Sequence, residues 1–406
     1  MSGLSLYIHI PFCARKCRYC DFYSVPAEDL SIVNQYISAL AKEWTFFVDS
    51  GMLADKIIST IYVGGGTPSL LDINTWKRLD DLLFSTIDKS NVTEWSVECN
   101  PESFSIDKAM AYANSGVTRL TFGIQSLNKK ELSICGRAHS AERALEVLGD
   151  ERLDDMFKSI GVDVIYNLPG QTVNTLDDTL TSILSFPAVK HISAYELTIA
   201  ENTPFGRHSR ILPLPPEESS ADMYELVGKR CAERGMWQYE VSNYALPGFE
   251  SLHNKAYWSH KPYIGLGASA HSYIHPRRWS NVADVNQYIS SFEHPPKPSR
   301  RGDRPRSPAM PDGNNTPSIH YAIDFEEAIT PTELSEEIIF LGLRNADGID
   351  EADFEARTGI PLCADGRDGR LRGYADAGLL EKSGQKWVPT PRGMVFADMM
   401  ARGLMA

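Results

Sequence analysis

Residues 7–22 read Tyr7-Ile-His-Ile-Pro-Phe-Cys13-Ala-Arg-Lys-Cys17-Arg-Tyr-Cys20-Asp-Phe22, an apolar strand followed at once by a Cys-x3-Cys-x2-Cys loop. Three thiolates this close together can wrap one inorganic centre, and they leave a four-iron cluster one protein ligand short. An iron with an open position can bind a small molecule and act on it. A structural zinc site would need a fourth ligand, here His9 or Asp21, and prefers Cys-x2-Cys pairs, of which the chain has no second one. A disulfide with a spare thiol fits poorly, because the cysteine count of 7 is odd and no secretory signal is evident. The spacing favours an iron–sulfur cluster over zinc or coincidence.

The rest of the composition bounds the setting. With 406 residues, 42% apolar and 23% charged, the chain has the make-up of a globular protein of two domains plus an extension. A net charge of −13 argues against general nucleic-acid binding. No apolar run approaches the ~20 residues of a membrane span, and the start lacks a signal-peptide pattern. Free thiols without an export signal point to a cytoplasmic location. Peripheral membrane contact and homodimerisation leave no mark in the sequence.

Short apolar runs alternate with helical patterns through the first half. Strands are expected at residues 4–10, 57–63, 94–98, 119–123, 161–166 and 191–197. Val33, Tyr36, Ile37, Leu40, Trp44 and Phe47 recur at helical spacing, and further helices are expected around 74–84, 136–150 and 176–184. Such repetition builds a parallel sheet. About six repeats fit before residue 200, against eight in a closed barrel, so the expected α/β fold is a partial (β/α)6 barrel with one side open. Ligands bind at the carboxyl ends of parallel strands. The cysteine loop, Gly64-Gly-Gly-Thr-Pro68, Glu98 with Asn100, Gln125 and Asn167 all follow strands in this way.

The expected organisation is a barrel over residues 1–240, a closing segment over 241–294, a Pro/Arg-rich insertion over 295–320 and a small domain over 321–406. The insertion reads as disordered linker, since residues 295–318 are rich in proline, lysine and arginine with almost no apolar side chains. The last part reads as helices with a short hairpin, an α-rich, winged-helix-like unit. Asp347, Asp350, Glu351, Asp353 and Glu355 make it acidic, which suits packing better than DNA binding.

Around the cysteines, Gly64-Gly-Gly-Thr-Pro68 lets backbone approach a ligand. Glu98 and Asp163 offer acceptors for amines and hydroxyls, Arg137 a partner for a carboxylate, and Gln125 a further polar group. Singly each reads as an ordinary cap, turn or ion-pair residue; together with the loop they describe a pocket.

The loop, with an aromatic before its last cysteine, resembles the radical S-adenosylmethionine (SAM) enzymes, and the glycine run resembles their methionine-amine motif. The ordered segments Tyr7-Ile-His-Ile-Pro-Phe-Cys13, Glu98-x-Asn-Pro101, Gly123-Ile-Gln-Ser126, Gly136-Arg-Ala-His139 and Leu168-Pro-Gly-Gln-Thr172 resemble the oxygen-independent coproporphyrinogen III oxidase family. The resemblance implies a 4Fe–4S cluster on Cys13, Cys17 and Cys20, an electron donor for it, and SAM contacts from Tyr7, Gly65, Gly66, Thr67, Glu98, Gln125, Arg137 and Asp163. Asn167 stands where the family has glycine.

Two branches of that family differ beside the loop. The oxidase branch, which acts in porphyrin biosynthesis, has a fourth cysteine two residues after the third and an N-terminal extension; Phe22 stands at that position here. The heme-chaperone branch has Cys-Asp-Phe and a His-Asn-x-x-Tyr-Trp motif, matched by Cys20-Asp-Phe22 and His253-Asn254-Lys-Ala-Tyr257-Trp258. The resemblance therefore implies heme as cargo, apo-hemoproteins as recipients, and His253, Tyr257 and Trp258 as heme contacts. The other reading of that motif is a buried polar–aromatic corner closing the barrel. A porphyrinogen-oxidising enzyme, or a radical enzyme with another substrate, are the remaining functional readings, and no catalytic residue is assigned.

Overall fold

A computed structural model describes residues 2–27, 30–293 and 322–405. The Pro/Arg-rich insertion lies outside the described residues.

Six parallel strands form the centre of one sheet: β1 (Ser2–Ile10), β2 (Lys56–Gly65), β3 (Glu94–Cys99), β4 (Arg119–Gln125), β5 (Ser159–Tyr166) and β6 (Val189–Glu196). They alternate in side-chain direction. Leu4, Leu6, Ile8 and Ile10 are buried in the core, leaving Ser5, Tyr7 and His9 for the other face. Helices α1 (Leu30–Asp49), α2 (Ile73–Phe84), α3 (Ile106–Ser115), α4 (Lys129–Cys135), α5 (Ala141–Leu148), α6 (Val173–Leu184) and α7 (Glu217–Glu233) come between or after the strands. Sequence dictates where several of them start. Asp72, Ser105, Asn128, Ser140 and Thr172 each accept a hydrogen bond from a first-turn N–H. The expected helix over 136–150 is shorter at its start, because Gly136 adopts φ 74° as the cap ending α4, and Ser140 then begins α5.

The sheet continues on both sides without closing. β8 (Asn243–Ala245) adds antiparallel to β6, and β7 (Trp237–Glu240) adds antiparallel to β8 at the edge. On the other side β9 (Tyr263–Leu266) adds parallel to β1, and β10 (His271–Ile274), β11 (Arg277–Asn281) and β12 (Ile323–Ala328) follow antiparallel. The order is β12-β11-β10-β9-β1-β2-β3-β4-β5-β6-β8-β7, an open mixed sheet. Glu43, fully buried in α1, ties the closing segment down by accepting from Gly267 N (2.8 Å), Asn281 Nδ2 (2.7 Å) and the Tyr288 hydroxyl.

The C-terminal part packs a second apolar core around Ile339, Phe354, Leu371 and Met400. Helices Pro331–Gly342, Glu351–Thr358 and Arg367–Asp376 precede a hairpin of Leu380–Ser383 and Lys386–Pro389, the winged-helix-like arrangement. It meets the sheet through Val241 N to Arg344 O (3.0 Å) and His260 Nε2 with Glu337 Oε2 (2.7 Å). Among the described residues no helix is long and apolar enough to cross a membrane.

Candidate functional site

The cysteine loop hangs from the carboxyl end of β1. Its two ends are cinched by Val25 N to Pro11 O (2.7 Å) and Ala27 N to Cys13 O (3.0 Å). Cys13 is buried while Cys17 and Cys20 are half-buried, and none forms a disulfide. Burial pushes the Cys13 thiol up and the Cys20 thiol up to about 11. Both would hold their protons at neutral pH unless a metal took their place. Thr67 donates to Cys13 Sγ (3.6 Å) and Arg137 Nη1 to Cys17 Sγ (3.3 Å), so two sulfurs already have hydrogen-bond donors suited to thiolates. Among the described residues no three Cys, His, Asp or Glu side chains converge on a single metal-ion position. His9, one of the two candidate fourth ligands of a zinc, is occupied: Tyr7 Oη meets Nδ1 (2.9 Å) and Nε2 meets Tyr23 O (3.1 Å). Burial lowers its pKa to about 4, so it is neutral. Three thiols on one loop, with no fourth, suit a multi-iron group better than one tetrahedral zinc, because each thiolate can take a different iron.

The glycine run is shaped mainly by the protein itself. Gly64 and Gly65 continue β2 beyond its expected end, in register with His9 and Ile10. Gly65 has φ 109°, and a Cβ there would collide with the His9 ring. One on Gly66 would lie 2.7 Å from Phe12 O. Glycine at both positions is what lets this turn lie against the root of the cysteine loop.

Beside it, Glu98 at the end of β3 accepts from Tyr62 Oη (2.8 Å) and Gly65 N (3.0 Å). Burial raises its pKa against those two donors. Asp163 on β5 is raised to about 7, first by burial, then by the charge of Glu98, against hydrogen bonding from Ser193. Two neighbouring buried carboxyls, one raised further by the charge of the other, welcome a cationic or hydroxyl-bearing ligand. Arg137 Nη2 donates to Asn100 Oδ1 (2.7 Å) and to Gly123 O, while its buried Nε has no partner. Gln125, at φ 69° on a β4 irregularity, has a buried, unpartnered Oε1. The left-handed backbone of Gln125 and the unpartnered Gln125 and Arg137 atoms thus sit together beside Gly123. Tyr62 and Ser193 were not among the expected site residues; the alternation along β2 was the available signal for Tyr62.

His253, Tyr257 and Trp258 lie elsewhere, on α8 (Leu252–Trp258). Glu94 at the amino end of β3 accepts from Leu252 N (3.0 Å), His253 N (2.9 Å) and Ser251 Oγ (3.3 Å), and pairs with buried Arg119 (3.2 Å). His253 is 1% exposed. Its Nδ1 meets Thr60 Oγ1 (2.9 Å) and its Nε2 meets Tyr257 Oη (3.1 Å), with the ring tilted over Tyr62 at 5.1 Å. Burial lowers its pKa to about 3. Tyr257 also lines a groove of about 590 Å³ with Tyr263, Tyr273, Phe340 and Met405, between the sheet and the helix Pro331–Gly342. The structure therefore brings the cysteines and the eight residues expected to contact SAM towards the carboxyl end, and sets the His-Asn-x-x-Tyr-Trp helix towards the other, where His253 reaches Tyr62.

Residues 7–183 match the radical SAM superfamily and residues 329–396 the HemN C-terminal domain. The fold superposes on coproporphyrinogen III oxidase (HemN) of Escherichia coli with a TM-score of 0.80 at 21% identity, covering 100% of this chain and 90% of that one. The heme chaperone HemW of Bacillus subtilis is 34% identical over 97% of both chains. That of Lactococcus lactis is 34% identical over 86% of this chain and 84% of its own, and that of Mycobacterium tuberculosis H37Rv 31% identical over 98% and 94%. Kinship of this extent, on this fold and with this loop, makes the chain a member of the HemW family of radical SAM proteins.

Proposed function

We propose that this chain is a heme chaperone: it binds heme and passes it to apo-hemoproteins, with a 4Fe–4S cluster and SAM at the carboxyl end of the sheet. The observation that carries the reading is similarity to proteins named as heme chaperones over 97% of the chain. Phe22, in place of the oxidase branch's fourth cysteine, supports it.

Cys13, Cys17 and Cys20 would hold the cluster. When bound, it supplies an open iron and a low-potential electron next to SAM. The chain's own residues do the positioning. Glu98 and Asp163 accept from the cofactor's ammonium and hydroxyl groups, and Tyr62 and Gly65 hold Glu98 in place for this. Gln125 Oε1 and Arg137 Nε supply an acceptor and a donor that have no partner within the protein. Gly65, Gly66, Thr67 and Tyr7 line the approach.

Heme contact is proposed for His253, Tyr257 and Trp258. Both His253 nitrogens are engaged, so an axial bond from it requires α8 to give up the Thr60 or Tyr257 contact. Tyr257 borders the groove directly, and a porphyrin entering there meets aromatic rings first.

Anaerobically reconstituted protein titrated with heme is expected to shift the Soret band and then to load an apo-hemoprotein. Turnover of coproporphyrinogen III with reductant and SAM would overturn the chaperone reading. Tyr257→Phe, which keeps the ring, is expected to alter the heme spectrum without unfolding the chain. A Soret shift untouched by Tyr257→Phe and His253→Ala would remove both from the heme site.

A further inference from the structure

The chain is acidic overall, yet the surface beside its cysteine loop is not. Arg15, Lys16 and Arg18 within the loop, and Lys129 and Lys130 on α4, are all exposed. None of the five forms an ion pair among the described residues; Lys16 instead donates to Phe22 O (3.2 Å) and Arg18 to Ile134 O (3.3 Å). Arg18 N to Cys135 O (2.9 Å) joins the loop to α4, so the two groups of cations share one face. Arg15, Lys16, Arg18 and Lys129 line a cavity of about 500 Å³ there. Phe22 projects from the same loop at 70% exposure. Cys17 and Cys20 are half-buried beside this face, and Arg137, which donates to Cys17 Sγ (3.3 Å), borders the same cavity.

We propose that this cationic face, with Phe22, is the docking surface for an acidic one-electron carrier protein that reduces the group held by Cys13, Cys17 and Cys20. The inference rests on the cluster reading above. A net charge of −13 repels an acidic partner on average, and a local reversal of sign beside the cysteine loop both favours and orients it there. The cations are solvated and spread over two elements around an exposed apolar ring, a pattern suited to a protein surface. A small-anion site would gather buried, converging donors instead. One electron leaves the carrier and one enters the cluster; no bond is made or broken and no proton moves.

The test follows cluster reduction in the anaerobic holoprotein by stopped flow, with either a reduced acidic flavodoxin or dithionite. Two pairs of substitutions are compared with the unaltered chain: Lys129→Glu with Lys130→Glu, outside the loop, and Arg15→Glu with Arg18→Glu within it. Each pair is expected to slow flavodoxin-driven reduction by about tenfold or more and to flatten its salt dependence, with the dithionite rate changed by less than about twofold. Unchanged flavodoxin kinetics, or equal losses with both reductants, would overturn the docking surface. If dithionite reduces no cluster at all, the cluster reading fails instead. Docking is then still decided by titrating oxidised flavodoxin onto the cluster-free chain. About tenfold weaker binding by the Lys129→Glu/Lys130→Glu chain supports it, and equal binding overturns it.

Discussion

Glu94 and Glu98 stand on one face of the same strand, about 13 Å apart by strand rise, and they are treated in opposite ways. Glu94 receives two backbone N–H groups of α8, the Ser251 hydroxyl and the Arg119 guanidinium. Glu98 receives only Tyr62 and Gly65, and has Asp163, a second carboxylate, for a neighbour. The first is a finished structural joint that clamps the closing segment under the sheet. The second belongs to a region with a strained Gln125, unpartnered Arg137 and Gln125 atoms and raised carboxyl groups. A polar cluster that is satisfied holds a fold together; one left short of partners is waiting for a ligand.

The largest expected effect tests the unfinished end. Cys17→Ala should abolish cluster assembly, so that iron and sulfide content after reconstitution falls to background. The cluster-free chain should lose about 1–2 kcal/mol of stability, because the side chain is only half-buried but its loss leaves Arg137 Nη1 without an acceptor. Retained iron at full stoichiometry would show that the loop does not hold the group.

The same conservative change at both glutamates separates the ends most directly. Glu94→Gln leaves Arg119, which is 4% exposed, without its counter-charge and should cost about 3–5 kcal/mol in urea unfolding. Glu98→Gln should cost under about 1 kcal/mol, since burial already disfavours its charge, while weakening SAM binding by about tenfold or more in calorimetry. Equal stability losses would erase the distinction between a joint and a site.

A smaller effect lies in the pH dependence of Asp163. Its carboxyl holds a proton up to about 7 in the folded chain, against 3.8 ordinarily. Folding therefore takes up a proton between those values, and stability falls as pH rises through that window, then levels above it. Asp163→Asn removes the effect. The variant should be more stable than the parent by about 1–3 kcal/mol at pH 8, with the gap closing as pH falls towards 4. Binding of a cationic cofactor runs the other way and should strengthen as pH rises through about 7. A gap that stays constant with pH would mean the carboxyl is not raised.

Much of this was legible in the sequence because it was local. Short apolar runs alternating with helical patterns place the six central strands, and the cysteine spacing marks the loop without any tertiary information. What escaped depends on register. Tyr62 reaches Glu98 only because β2 and β3 lie side by side, and alternation along β2 gives its face but not its partner. The reading of Gly64–Gly66 as a ligand floor missed that Gly65 must clear His9 and Gly66 the backbone of Phe12. His253 shows the same gap: its chemistry offers an axial imidazole, but its contacts with Thr60 and Tyr257 are visible only in the folded chain.

Asn167 gives the smallest and sharpest test. Where the resemblance implies glycine, the backbone takes φ 64°, a left-handed conformation that asparagine tolerates better than other side-chain-bearing residues. Its Nδ2 reaches Glu196 Oε1 at 3.3 Å, while its Oδ1 is buried without a partner. Asn167→Gly relieves the backbone but frees the unfolded chain, so stability should change by no more than about 0.5 kcal/mol. Asn167→Val, β-branched, should cost about 1–2 kcal/mol by urea midpoint. The glycine variant then isolates the amide itself. If SAM affinity is unchanged, Asn167 serves only the turn; if affinity falls while stability holds, the unpartnered Oδ1 joins Gln125 Oε1 among the groups that the ligand satisfies.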